Sequence, residues 1–130
     1  MAVRSQVDIF PELTRRILGS AIEVHRELGP GLLESTYRAC LVHQLLIEGH
    51  EVKQEVPVPI TYKGSTIDAS FRADLIVDDS ALLELKAVER LLPIHESQIL
   101  TYMKLCNLNI GLLLNFNVPV LKQGVRRFVR

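Results

Sequence analysis

The sequence has little of the features that assign a chain to a special class of protein. It contains two cysteines and no tryptophan among 130 residues. So few cysteines argue against a disulfide framework, and both lie in apolar surroundings, so we expect core thiols and a cytoplasmic location. The longest apolar runs, such as "IGLLL" at 110–114, are too short to span a bilayer, and the N-terminal stretch lacks an apolar signal-peptide core. We therefore expect no membrane partner.

The chain also lacks an excess of either charge, but its charges are unevenly distributed. Residues 1–96 carry 10 basic and 15 acidic side chains, a balance of −5. Residues 97–130 carry no acid and have a balance of +5, from Lys104, Lys122, Arg126, Arg127 and Arg130. This last stretch could form a positive patch for phosphates, although charge alone favours a solvated terminal strand.

Length and periodicity predict one compact domain over residues 1–130 that begins with two helices. The first helix is expected in "DIFPELTRRILGSAIEVHRELGPG", with Pro11 near its start and Gly29 as its stop. The second is expected in "LLESTYRACLVHQLLIEG", ending near Gly49. Apolar residues extend beyond one stripe of the second helix, which predicts that it is deeply buried.

The remainder of the chain predicts strands with one further helix. Alternation in 51–68 indicates an edge strand and a turn, because Pro57 and Pro59 exclude this segment from a sheet centre. Strands follow at "FRADLIV" and "ALLELKAV", then a helix from Pro93, a central strand at "NIGLLLNF" and a last short strand at "GVRRFVR". The order α-α-β-β-β-α-β-β predicts an α/β fold with a central mixed sheet flanked by helices.

The strands "RADLIV" and "ALLELK" concentrate charge if they form a hairpin about Asp79. The pairs that face each other are then Asp74–Glu84, Arg72–Lys86 and Ile76–Leu82. Because side chains alternate across a strand, all six share one face of the sheet. That face is apolar near the turn and carries four charges at the far end of the hairpin.

Two interpretations of this charged end are open on spacing alone. Facing carboxylates lie about 5 Å apart and destabilise a sheet unless they are compensated. Arg72 and Lys86 could compensate them as diagonal ion pairs in a structural network. Alternatively, a divalent cation could lie between Asp74 and Glu84, because hard cations favour clustered carboxylate oxygens. Lys86 beside such an ion would be suited to orient or deprotonate a water.

Asp74 together with Glu84-Leu85-Lys86 resembles the D-x(n)-E-x-K signature of the PD-(D/E)XK nuclease superfamily. The chain is most similar to one branch, the GxxExxY protein family, whose naming motif is matched by "GLLESTY" at 31–37. The segments "AIEVHRELGPGLLESTY", "FRADLIV", "LELKAVERLLPIHESQILTYMKL" and "GLLLNF" also resemble that family, over nearly the whole chain from about residue 14. Ala73 stands where a proline commonly precedes the aspartate.

The resemblance implies a restriction-endonuclease-like core and a set of metal ligands. Asp74 and Glu84 are the expected ligands of Mg²⁺ or Mn²⁺, together with the main-chain carbonyl of Leu85. Lys86 is expected to assist the attacking water. Glu34 matches the position of a glutamate from an early helix that often joins the site. Its position in a first helical turn has a simpler explanation as well, because a carboxylate there is favoured by the helix dipole.

Three more side chains complete the predicted site. Gln98 matches a glutamine that many members place near the site on the following helix, and Tyr102 lies on the same helical face, four residues later. Arg72 is expected to anchor the carboxylates or to contact a substrate phosphate. Gln98 is therefore a candidate catalytic residue, and Arg72 and Tyr102 are candidate substrate contacts.

The sequence thus predicts a metal-dependent nuclease that hydrolyses phosphodiester bonds of DNA or RNA. The alternative is a non-catalytic nuclease-like module that binds nucleic acid or a protein partner, because a chain of 130 residues shows no evident specificity element. An edge strand and apolar helices leave a homodimer open as a further prediction.

Overall fold

The structure is a computed structural model that describes residues 11–130. The elements within this range are α1 (Pro11–Leu28), α2 (Glu34–Ile47), β1 (Val52–Pro57), β2 (Ile60–Tyr62), β3 (Ser65–Ile67), β4 (Arg72–Val77), β5 (Ala81–Lys86), α3 (Pro93–Leu105), β6 (Ile110–Asn115) and β7 (Val125–Val129). Residues 8–10 of the predicted first helix, and the rest of the N-terminal stretch, lie outside the described residues. No helix in the described range is both long and apolar enough to cross a membrane.

The main sheet has five strands in the order β1-β4-β5-β6-β7. Strands β5 and β6 are parallel, and every other neighbouring pair is antiparallel, so the sheet is mixed as predicted. Together with the helices it confirms the order α-α-β-β-β-α-β-β. The segment predicted as an edge strand and a turn also contains a separate ribbon of β2 and β3. Lys63 and Gly64 join its strands with φ of 48° and 83°, the left-handed values that a tight hairpin needs.

The helices cover both faces of the sheet, which gives three layers. Helices α1 and α2 pack on one face, where Leu83 and Leu85 of β5 join their core. Helix α3 packs on the other face, where Leu82 of β5 joins Ile99 and Met103. The alternation of β5 therefore divides its leucines between two cores, and the predicted α/β class of restriction-endonuclease type is confirmed.

Helix α2 is less buried than its composition predicts. Its buried side chains are Tyr37, Leu41, Val42 and Leu45, whereas Leu46 and Ile47 are 54% and 65% exposed. The prediction of deep burial was wrong, because only one side of the helix meets α1 and the sheet. Tyr37 has a positioning role, since its hydroxyl donates to Gly29 O at 2.6 Å and accepts from Leu32 N at 3.1 Å.

Helix α3 is the crossover between the parallel strands β5 and β6. It lies very close to the sheet, because a side chain at Gly111 of β6 would overlap the sulfur of Met103. The parallel pairing aligns Lys86 with Asn115, so the carboxyl ends of both strands lie at one edge of the sheet. In open α/β sheets, ligands bind beyond this edge.

Candidate active site

The β4–β5 hairpin opens where the predicted charged residues begin. Its ladder contains the pairs Leu75–Leu83, Ile76–Leu82 and Val77–Ala81. The pairing of Ile76 with Leu82 confirms the register that was predicted from a turn about Asp79. Beyond Leu75 the two strands separate, and the carboxylates of Asp74 and Glu84 take the place of the main-chain ladder.

Each of these carboxylates accepts a hydrogen bond from the backbone of the opposite strand. Asp74 N donates to Glu84 Oε2 at 2.9 Å, and Leu85 N donates to Asp74 Oδ2 at 2.8 Å. The hairpin therefore fixes the orientation of both acids through its own main chain. The two bonds engage one oxygen of each carboxylate.

The two acids are held in surroundings that disfavour their charge. Glu84 is only 4% exposed, and burial, followed by the nearby Asp74 carboxylate, raises its pKa to about 8. Burial also raises the pKa of Asp74, although the hydrogen bond from Leu85 N and the charges of Arg38 and Lys86 oppose the shift. A further positive charge beside this pair of acids would lower both pKa values.

Helix α2 contributes one acidic and one basic side chain to the same site. Glu34 is the first residue of α2, and burial, followed by the charge of Asp74, raises its pKa. Arg38, one turn later, lies 3.8 Å from Asp74, from Nη1 to Oδ1. Sequence reasoning missed Arg38, although its spacing of four residues from Glu34 places both on one helical face.

Beside the acids, hydrogen bonds connect Lys86, Gln98 and Tyr102 in a row. Lys86 Nζ lies 3.5 Å from Gln98 Oε1, and Gln98 Nε2 donates to the Tyr102 hydroxyl at 3.1 Å. Burial raises the pKa of Tyr102, so its hydroxyl keeps its proton at neutral pH. Helix α3 thus supplies a polar support for the lysine of β5.

Arg72 does not join the acids. Its guanidinium lies 3.8 Å from Asp68, and its Nη1 donates to Phe71 O at 2.9 Å. Of the two roles left open for Arg72, anchoring the hairpin carboxylates was wrong, because the hairpin has already opened where Arg72 would face Lys86. Arg38 provides that ion pair instead. The expected contact of Arg72 with substrate stays a prediction.

Comparison with models of known protein families assigns the chain to a family. The model of the PD-(D/E)XK nuclease superfamily matches residues 11–128. The chain belongs to the PD-(D/E)XK nuclease superfamily. Comparisons with curated proteins and with solved structures gave no match.

PD-(D/E)XK nucleases typically use divalent metal ions, and the donors of this site are of the matching kind. Asp74 and Glu84 offer hard carboxylate oxygens, and burial is the largest cause of their raised pKa values. Among residues 11–130, however, no three histidine, cysteine or acidic side chains converge closely enough to hold a metal ion. Glu34 is near enough to contribute to the raised pKa of Glu84 but does not complete such a group. Mg²⁺ is often held by one or two carboxylates while keeping several waters, so two acids with a third nearby fit this ion.

Two other charged residues near the candidate site had no clear signal in the sequence. Glu55 of β1 has a left-handed φ of 48°, and its charge contributes to the raised pKa of Asp74. Arg126 of β7 shares a row of the sheet with Glu84, because Leu113 pairs with both, and it lies 3.8 Å from Glu96. The C-terminal strand β7 therefore places one arginine of the basic stretch in the row of the site.

Proposed function

We propose that this protein is a metal-dependent nuclease that hydrolyses phosphodiester bonds of nucleic acid. One observation carries the proposal. Asp74 and Glu84 replace the ladder where the hairpin opens, each fixed by a backbone N–H, with Lys86 following on the same strand. Such a pair of acids costs stability in the absence of a cation, and the superfamily supplies the matching chemistry.

In this proposal the acids hold the ion and the lysine acts on water. Asp74 and Glu84 would hold Mg²⁺ or Mn²⁺ with the Leu85 carbonyl, and Glu34 would contribute directly or through a water. When bound, the ion supplies positive charge for the scissile phosphate and acidifies water. Lys86 would orient the attacking water.

The remaining polar residues would position the lysine and the substrate. Gln98 holds Lys86, and Tyr102 in turn holds Gln98. Arg72 is exposed at the rim and would contact a phosphate beside the scissile one. Arg126 would meet the backbone farther along the strand, which would make binding dependent on salt.

We also propose membership of the GxxExxY branch. Two structural features support it. Gly31 has a left-handed φ of 100°, which favours glycine, and Tyr37 ties down the loop that leads into Glu34. The motif would thus set the position of its own glutamate. Both cysteines are free, which supports a reducing cytoplasm, and homodimerisation stays a prediction.

The test is cleavage of end-labelled single- and double-stranded DNA and RNA, with Mg²⁺, Mn²⁺ or EDTA. Asp74→Ala and Lys86→Ala proteins are purified identically to reveal any contaminating nuclease. Lys53→Ala is the matched control, because Lys53 pairs with Asp79 on the exposed turn end of the same hairpin. Metal-dependent cleavage lost in the two site variants and kept in the control is the expected result. Equal cleavage by all four preparations would refute the proposal.

The alternative is a nuclease-like module that binds nucleic acid or a protein without cutting. It is favoured by the finding that no three metal-ligating side chains converge in the described part of the chain. Calorimetric titration with Mn²⁺ separates the two functions. Binding that is lost in Asp74→Ala supports the nuclease, whereas absence of binding supports the module.

A further inference from the structure

A pocket of about 480 Å³ adjoins the candidate active site. It lies between the ribbon, the start of β4 and helix α3, and six of its lining residues are Ile60, Phe71, Lys86, Ile94, Gln98 and Tyr102. Lys86 and Gln98 line the pocket and also belong to the proposed catalytic row. Whatever occupies the pocket is therefore in direct reach of the atoms that would meet a scissile phosphate.

Part of the wall of this pocket is apolar and aromatic. Phe71 is 46% exposed and leans against Tyr102, with ring centroids 6.1 Å apart and planes at 45°. Ile94 is 67% exposed at the start of α3. Both side chains are therefore exposed apolar groups that do not belong to the buried core. A ligand with a flat apolar face would cover them.

The rim of the pocket supplies hydrogen-bonding groups and charge. Ser97 and Thr101 are exposed on the same helix and line the pocket with His95. Arg72 follows Phe71 in the chain, and its Nη1 donates to Phe71 O at 2.9 Å, so a guanidinium lies beside the backbone of Phe71. A stacking face bordered by polar groups and two cationic side chains matches a nucleotide, which joins a flat base to a phosphate.

We propose that the pocket holds an unpaired base of the substrate, stacked on Phe71, and that the substrate is single-stranded nucleic acid. This inference rests on the proposed nuclease function. A base inside a duplex has both faces covered by its neighbours, so it cannot offer a face to Phe71. In a single strand the base faces are free, and the sugar-phosphate backbone would pass Lys86.

The first experiment uses the absence of tryptophan from the natural sequence. Phe71→Trp creates the sole indole of the protein, at the position where a base would stack. With EDTA present, a single-stranded oligonucleotide of about 12 nucleotides should quench this fluorescence, and the blunt-ended duplex of the same strand with its complement should not. Equal quenching by the duplex, or none by either ligand, would overturn the inference.

The second experiment separates contact with the base from contact with the phosphate. Phe71→Ala should weaken single-strand binding roughly tenfold, measured by fluorescence anisotropy in EDTA. Ile47→Ala, which removes an exposed apolar side chain outside the pocket, should leave binding unchanged. A strand with abasic positions should bind the natural protein more weakly than an intact strand does. Its affinity should fall little further in Phe71→Ala, because the abasic positions and the substitution remove the same contact. Additive losses would contradict stacking on Phe71.

The two proposals fail in different ways. Quenching and Phe71-dependent binding without cleavage would sustain the single-strand inference and refute the nuclease. Cleavage that is lost in Lys86→Ala, with binding indifferent to Phe71, would sustain the nuclease and refute the inference. Phe71-dependent binding of an apolar peptide, without binding of a nucleic-acid strand, would also refute the inference and would favour a protein partner.

Discussion

The two ends of the β4–β5 hairpin use acids in opposite ways. At the turn end, Asp78 Oδ2 lies 2.7 Å from His50 Nδ1, and Asp78 Oδ1 accepts Glu51 N at 2.8 Å. Burial would raise the pKa of Asp78, but these two hydrogen bonds outweigh it, and the pKa is lowered. At the open end, Asp74 and Glu84 also accept backbone N–H groups, yet the pKa of each is raised.

The difference lies first in burial and then in the neighbour, since the side chain of Asp78 is 33% exposed, whereas those of Asp74 and Glu84 are more deeply buried. The turn end pairs its acid with an imidazole, whereas the open end places one buried acid against another. The same strands therefore carry one charged group that stabilises the fold and a pair that destabilises it. Because the second arrangement costs stability, we propose that the acid at the turn end serves the fold and that the pair at the open end serves the proposed function.

The largest expected effect tests this division of roles through catalysis. Asp74→Asn should reduce metal-dependent cleavage by at least about 100-fold. The substitution removes a proposed ligand of the metal ion, whose positive charge at the scissile phosphate would lower the activation barrier by several kcal/mol. Asp78→Asn, the equivalent change at the turn end, should leave the rate nearly unchanged. Initial rates of both variants, under conditions where each is folded, check the prediction. Similar losses in both variants would abolish the distinction between the two ends.

The second prediction concerns stability at the open end without metal. The pKa of Glu84 is raised from 4.5 to about 8 in the folded chain. Its protonated form therefore favours folding, and this stability is fully present below about pH 4.5 and is lost as the pH rises through about 8. We expect the free energy of unfolding to fall by a few kcal/mol over that window.

Urea unfolding in EDTA across this pH range measures the effect. Glu84→Gln should flatten the profile because glutamine does not titrate. Glu27→Gln, at an exposed position of α1, should keep the slope of the natural protein. Identical slopes in all three proteins would mean that ionisation of Glu84 does not cause the fall in the free energy of unfolding.

The hairpin itself was predictable because its determinants are local. A turn centred on Asp79, with alternating side chains on both strands, fixes the pairing of Ile76 with Leu82 and brings Asp74 near Glu84. The ribbon shows the limit of the same reasoning. Lys63-Gly64 signalled a turn, but whether its flanking strands join the main sheet depends on contacts with other elements.

The partner of the acids was not predictable because it comes from another layer. Arg72 and Arg38 are both arginines, and only the docking of α2 on the sheet decides that Arg38 reaches Asp74. The exposure of Ile47 on α2 has the same origin, since composition does not reveal which side a helix presents to its neighbours. Periodicity predicted the elements, and their packing decided the site's electrostatics.

A third and smaller effect is expected at the turn end. Asp78→Asn should destabilise the fold by about 1–3 kcal/mol, because it weakens a charged hydrogen bond to a histidine whose side chain is buried. Since the pKa of Asp78 is lowered, its stabilisation is present above the usual aspartate pKa and is lost as the pH falls through the folded value.

Chemical unfolding at neutral and acid pH checks this prediction, and Asp79→Asn is the neighbouring control. Asp79 pairs with Lys53 on the exposed surface, where water screens the charges, so its change should alter stability little. A loss of stability in Asp78→Asn that persists unchanged at low pH would contradict a role for its charge.

The smallest effect distinguishes the two arginines at the open end. Arg38 lowers the pKa of both Asp74 and Glu34, so Arg38→Gln should raise them and move the acid limb of metal-dependent cleavage to higher pH. At acid pH the rate should then fall severalfold, while at alkaline pH it should approach that of the natural protein. Arg72→Gln should instead raise KM at every pH, because Arg72 is a proposed phosphate contact. The acid limb should not move, because Arg72 pairs with Asp68 and not with Asp74 or Glu84. A shift of the acid limb in Arg72→Gln and none in Arg38→Gln would reverse the assignment and return to Arg72 the role that its position in the hairpin first suggested.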